Sequence, residues 1–376
     1  MSESTRRQFL EMAGTAAAAT FLAPSAVAAG QVYVPPGQSP LPIGPGAPYV
    51  GYQSEIYLAG MTADVKPIFT TNLSDLEEVA AKVLSEDARR HLLTWAGGAE
   101  AVRANARALG AWRIVPRMFI DRAERDWTAT VLGVSMPAPV ILGPVGNQVL
   151  AHADGEAATA RAAAALGLTY VHASQSSTSV EAVAVAAPTG SRWFALDWPE
   201  GNGPDAALLG RARLTGCTHL VLSPPQPEQD WTALAAVREA WDGPIVLGGI
   251  QTVPDARMAV SHAFDGIVVS NERGRRGPRP TGTIDVLPRI ADAVGSKVAV
   301  LFGSGVRTGT DVYRAMALGA EAVLIGRPYV HGLALGGEAG VRPMLRTLLA
   351  ELDITLGIAG GVANHRELDP SALVRA

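Results

Sequence analysis

From residue 139 onward the chain repeats one unit, in which a short apolar run passes through a small-residue or polar turn into an amphipathic stretch. Apolar runs at 139–143, 168–172, 192–196, 218–222, 244–247, 266–270, 298–302 and 322–325 read as strands buried on both faces. Helical stretches follow near 153–166, 179–186, 204–215, 231–241, 254–263, 283–294, 309–318 and 339–356. Strict alternation of this kind predicts an α/β fold, a (β/α)8 TIM barrel over 139–360. A doubly wound sheet is the competing arrangement. It needs a glycine-rich turn after its first strand, and Gly143-Pro-Val-Gly146 is a poor one. In a barrel the loops after the strands share one face, so the segments beginning at 144, 173, 197, 223, 248, 271, 303 and 326 are expected to converge.

Two of those loops stand out. Leu301-Phe-Gly-Ser-Gly-Val-Arg-Thr-Gly-Thr-Asp311 runs from a strand through Gly303, Ser304, Gly305 and Arg307 into a helix, and Ala320-Glu-Ala-Val-Leu-Ile-Gly-Arg-Pro328 ends a strand in Gly326 and Arg327. Free N–H groups at a helix start, together with two guanidinium forks, are what a phosphate needs. The last two loops of this fold commonly hold one. The expected ligand is therefore phosphorylated.

A net charge of −4 over 376 residues gives no basic field, which argues against nucleic acid as a partner. The single cysteine, Cys217, excludes an internal disulfide framework and a cysteine-ligated cluster, and His91, His219, His262, His331 and His365 show no metal-ligand spacing. The order of features at the N-terminus is that of an export leader. Thr5-Arg-Arg-Gln-Phe-Leu10 precedes a small apolar run from Met12 to Ala23, and Ala26-Val-Ala28 offers a cleavage site. The run is too short and too rich in Ala, Gly and Thr for a stable membrane span. Residues 1–28 are thus expected to be a twin-arginine signal, and the mature, exported protein (periplasmic or extracellular) to begin near Ala29; intact mass of exported protein that retains 1–28 would refute this. Residues 29–70, rich in Pro and Gly, read as an extended arm, 71–138 as a helical segment leading into the barrel, and 361–376 as a C-terminal tail.

At this level of detail the chain resembles the FMN-dependent α-hydroxy acid oxidase and dehydrogenase family, most of all its lactate 2-monooxygenase branch. The resemblance rests on Gly51-Tyr-Gln-Ser-Glu-Ile-Tyr57, Ala111-Trp-Arg-Ile-Val-Pro-Arg-Met118, His152-Ala-Asp-Gly-Glu-Ala-Ala-Thr-Ala-Arg161, Asp265-Gly-Ile-Val-Val-Ser-Asn271, Gly305-Val-Arg-Thr-Gly-Thr-Asp311 and Ile325-Gly-Arg-Pro328, in order. It implies an oxidoreductase acting on a CH–OH group of a small molecule, with FMN across the barrel mouth. Its phosphate would lie on Arg307, Gly326 and Arg327, and Pro144, Val145 and Gly146 beside the flavin ring. Ser223 would match a threonine ending the family's fourth strand. The resemblance also implies a homo-oligomer, commonly a tetramer.

The family's catalytic positions depart from its pattern. The histidine that takes the substrate's hydroxyl proton is Glu272 here, the lysine after strand five is Gly248, and the aspartate that binds the ribityl chain is Gly303. A Gln-Leu-Tyr pattern on strand three reads Ala195-Leu196-Asp197, the tyrosine four residues before Gly98 is Thr94, and the loop after strand four is nearly absent. Of the substrate-binding arginines only Arg275 has a matching position, among Arg273, Arg276 and Arg279. Glu272 and Asp197 are accordingly the candidate acid and base, and Arg275 the candidate anion-binding group. A carboxylate with an ordinary pKa of about 4.3 is a weaker proton acceptor than imidazole, so efficient L-lactate oxidation is not expected. Two other classes stay open: a non-redox enzyme of cyclase or isomerase type using the same mouth, and a binding protein without turnover. His172, ending strand two, either faces the flavin site or is packed away from it.

Overall fold

The computed structural model describes residues 72–94, 98–117, 126–197, 204–223, 231, 235–271, 281–359 and 365–376. The leader, the arm, Glu272 and Arg275 lie outside these residues. Among the described residues, helices α1 (Leu76–Ala81), α2 (Glu86–Thr94) and α3 (Gly98–Ala111) precede the strands. Short strands β1 (Trp112–Ile114), β2 (Ala129–Val131) and β3 (Val134–Met136) precede the barrel. Then β4 (Val140–Leu142), β5 (Thr169–Ala173), β6 (Arg192–Asp197), β7 (Leu220–Ser223), β8 (Ile245–Ile250), β9 (Gly266–Val269), β10 (Ala299–Phe302) and β11 (Ala322–Ile325) close into one parallel barrel in sequence order. The helices between them are α4 (Gly155–Ala165), α5 (Val180–Ala186), α6 (Ala206–Leu214), α7 (Ala235–Ala240), α8 (Val253–Ser261), α9 (Leu287–Val294) and α10 (Gly309–Ala317), and α11 (Arg327–Ala359) follows the last strand. Each of the eight expected strands is present, within two or three residues of its expected ends.

Local chemistry sets where the helices begin. Ser179, Asp205, Thr252 and Thr308 each accept a backbone N–H from the first turn of α5, α6, α8 and α10. The last helix differs from the expected 339–356 because it starts directly at Arg327 and breaks at Gly336–Gly337. Gly337 has φ +58°, and a Cβ there would sit 2.8 Å from the His152 ring, so only glycine lets the two halves close over that imidazole. His152 is thereby a packing residue.

Alternation along the strands separates two apolar layers. Tyr170, Phe194, Leu222 and Phe302 point outward against the helices, while Ile141, Val171, Trp193, Val221, Val246 and Leu301 fill the barrel. The hairpin of β2 and β3 closes the lower end, with Ala129, Val131 and Met136 joining the inner layer. His219 fixes it there, pairing with the Leu132 carbonyl at 3.0 Å while stacking on Trp193 with ring centroids 4.5 Å apart. The C-terminal residues, expected as a tail, add a strand β12 (Leu373–Arg375) antiparallel to β1.

Candidate active site

One residue pitch above the inner apolar layer, each strand end presents an inward position, namely Gly143, Ala173, Asp197, Ser223, Gly248, Ser270, Gly303 and Gly326 in β4 to β11 order. Seven of these are glycine, alanine or serine. Asp197 is the one ionisable side chain in the ring. The strand ends are therefore paved with small side chains. The pavement is itself tightly fitted: a Cβ at Gly248 would stand 3.0 Å from Ser223 Oγ, and one at Gly143 would stand 3.2 Å from the Ile325 carbonyl. Ser174 Oγ accepts the Asp197 backbone N–H at 3.1 Å, which fixes the strand end carrying the carboxylate.

The end expected to take a phosphate is built from the turn after β10 and the start of α11. Ser304 and Gly305 have φ of 85° and 90°, so the chain folds back sharply before Arg307. At Gly305 a Cβ would come within 2.7 Å of Asn105 Cβ, which makes helix α3 the outer wall of this turn. Ser304 Oγ accepts the Asn271 N–H at 3.1 Å. Asn271 and Asn105 exchange side-chain hydrogen bonds at 2.8 and 3.1 Å, and Asn105 Oδ1 also accepts the Thr283 N–H. The end of β9, immediately before Glu272, is therefore clamped by a buried amide pair.

One expectation needs correcting. The N–H groups at the start of α10 are not free for an anion, because Arg307 and Thr308 donate theirs to Asp311 Oδ2, and Gly309 and Thr310 donate theirs to Glu351. Carboxylates inside the chain already satisfy that helix end, for the same dipolar reason that a phosphate would. What is left for an anion at this end is guanidinium charge and the turn before the helix. Arg307 precedes α10 and Arg327 opens α11, and the buried His331 has its pKa lowered to about 3, chiefly by burial and then by the charge of these two guanidiniums. Gly326 faces Val145, to which a Cβ would stand at 3.5 Å, so the loop after β4 borders the phosphate end.

That loop, Pro144 to Gln148, is held by a buried carboxylate. Glu156 accepts hydrogen bonds from the backbone N–H of Gln148, Ser177 and Thr178 and from both hydroxyls of Ser177 and Thr178, at 2.8–3.1 Å. Gln148 in turn donates to the Val145 carbonyl at 2.9 Å and accepts from Thr159 at 2.6 Å. Burial pushes the Glu156 pKa up, yet the donors outweigh it and hold the group below 4.5. Gly146 lies against the Gln175 carbonyl, 2.6 Å from where a Cβ would be, and the Tyr329 hydroxyl donates to Gly143 O at 2.7 Å.

The structure thus brings Pro144, Val145, Gly146, Asp197, Ser223, Gly303, Ser304, Gly305, Arg307, Gly326 and Arg327 to one end of the barrel. His172 is resolved in favour of packing. It points outward, buried between Tyr170 and Phe194, and its pKa falls to about 4, chiefly by burial. Glu156, Asn105 and Glu77 support this end of the barrel without a local sequence signal that marks them, although Glu156 lies within the His152–Arg161 stretch. Asn105 carried a weak signal, as a polar residue on the face of α3 that also presents Ala101, Ala104 and Ala108. Among the described residues no three His, Cys, Asp or Glu side chains converge to hold a metal ion, and no helix is long and apolar enough to cross a membrane.

The eight parallel strands and their surrounding helices define a class: a (β/α)8 barrel whose loops after the strands gather at one end. The model of the FMN-dependent dehydrogenase family matches residues 80–224 and 223–375, and the chain belongs to that family. It is 34% identical to an FMN-dependent α-hydroxy acid dehydrogenase of Schizosaccharomyces pombe, over 84% of this chain and 93% of that protein. Human 2-hydroxyacid oxidase 1 is 33% identical over 77% of this chain and 92% of its own. A solved structure of mandelate oxidase superposes with a TM-score of 0.74 at 34% identity, covering 81% of this chain and 98% of the other.

Proposed function

We propose that the protein is an FMN-dependent oxidoreductase that oxidises a CH–OH group of a small molecule other than L-lactate. The observation that carries this reading is the ring at the mouth, in which small residues leave space for a planar ring system while Asp197 is its single acid. Arg307 and Arg327 would hold the FMN phosphate, the turn Gly303-Ser304-Gly305 and Gly326 would pack along its chain, and Pro144, Val145, Gly146 and Ser223 would border the ring. When bound, FMN supplies the acceptor for the substrate's hydride. The chain's own part is to orient the substrate, exclude water and take the hydroxyl proton.

For that proton the candidates are Asp197, on the mouth ring, and Glu272, which follows the clamped Asn271 in sequence. Arg275 is the candidate partner for an anionic substrate group. Several changes separate this mouth from one that handles lactate: Gly248 carries no cation, Gly303 no carboxylate, and position 94 is threonine. A likeness to the lactate 2-monooxygenase branch, an exported location and a homo-oligomeric state remain parts of the same proposal.

Two measurements test it. Purified protein should be yellow and should release FMN on denaturation; colourless protein that ignores added FMN would sink the reading. With a substrate in hand, Asp197→Asn is expected to leave FMN affinity unchanged and to lower turnover by roughly 10²–10⁴-fold if Asp197 is the base. Unchanged turnover would move that role to Glu272.

A further inference from the structure

Helix α1 lies outside the barrel, yet it reaches the phosphate end. Glu77 Oε2 accepts from Arg307 Nε at 3.3 Å, with the two side chains 42% and 21% exposed. Arg307 Nη1 donates to the carbonyl of Val306 at 3.1 Å, so two of the three nitrogens of its guanidinium are tied within the protein. The Nη2 end has two further donors. Helix α1, which buries Leu76 and Ala80, also packs against α11, the long helix that begins at Arg327. One short helix therefore touches the elements that carry both arginines.

We propose that Glu77 is a positioning residue of the phosphate site, and this rests on the FMN reading of the mouth. Its carboxylate holds the Nε edge of Arg307 and leaves the Nη2 end for the phosphate, so that α1 and the cofactor engage one guanidinium from two sides. An arginine already fixed in its bound rotamer loses less side-chain freedom when the anion arrives. The carboxylate also repels a phosphate, but the pair is partly in water, where repulsion between charges not in contact is screened. Orientation of the fork is not screened, and it decides the sign. Binding is then reciprocal, and the cofactor should tighten the docking of α1 as α1 tightens the cofactor.

The test is titration of flavin-free protein with FMN and with riboflavin, which lacks the phosphate, followed by quenching of flavin fluorescence. Glu77→Gln should raise the FMN Kd roughly 3–10-fold and leave the riboflavin Kd unchanged. Glu77→Asp should recover part of the loss. In the wild type, FMN should slow hydrogen exchange in residues 76–81, and in Glu77→Gln it should not. An FMN Kd that is unchanged or tighter in Glu77→Gln, or an equal loss for both flavins, would overturn the proposal. Wild-type protein that takes up neither flavin would overturn the FMN reading itself.

Discussion

Replacing Glu156 by alanine is expected to lower the unfolding free energy by about 3–5 kcal/mol, measured by urea denaturation of the flavin-free protein. The carboxylate is fully buried and is the shared acceptor for three backbone N–H groups and two hydroxyls of the loops after β4 and β5. Its removal leaves several buried donors without partners, each costing about 1–3 kcal/mol before relaxation. Glu156→Gln should do little better, because an amide keeps one acceptor oxygen and turns an NH₂ toward the same donors. Both variants should also weaken FMN binding, since this network carries the loop from Pro144 to Gly146.

The acid limb of stability follows with a definite sign. The Glu156 pKa in the folded protein lies below its unfolded value of 4.5, so its contribution is complete above that value and is lost as pH falls through the folded pKa. His172 acts earlier. Its folded pKa is about 4 against 6.5 unfolded, so the unfolded chain binds the extra proton first, and stability falls as pH drops from 6.5 towards 4. The buried His331, at about 3, adds to the same fall, so substituting His172 with phenylalanine should make it shallower without abolishing it and without changing flavin binding, because the His172 ring faces the helices.

The second large effect concerns the two arginines. Arg307→Ala and Arg327→Ala are each expected to raise the FMN Kd by about 10–150-fold, the worth of one or two charge-assisted hydrogen bonds at about 1.5–3 kcal/mol. The double variant should purify without flavin and remain folded by circular dichroism. Since the N–H groups at the start of α10 are taken by Asp311 and Glu351, little else at that end compensates for the lost charge. Retention of full FMN by the double variant would show that the phosphate is held elsewhere.

Much of the barrel was legible because each strand is a short apolar run between turns, a pattern that depends on local sequence alone. The position of the phosphate loops followed from strand order. The availability of the helix start did not, because Glu351 reaches it from 42 positions away in sequence. The same limit hid the Asn105 and Asn271 clamp, 166 residues apart, and the Glu77 and Arg307 pair, 230 apart. Strands β1 to β3 and β12 were missed for another reason. Each has three residues, too few to display a period, and each is held by its partner strand. The inward or outward direction of His172 also needed strand register, since a one-residue shift exchanges the two faces.

The central claim is that this mouth keeps the means to hold FMN while its altered residues no longer serve lactate. The direct measurement is anaerobic mixing of the flavin-loaded protein with millimolar L-lactate, following flavin absorbance, with dithionite as the control. The account predicts full bleaching by dithionite and essentially none by L-lactate over a period of about a second, in which an ordinary turnover near 10 s⁻¹ would complete the reaction. Complete bleaching by L-lactate within that time would contradict it.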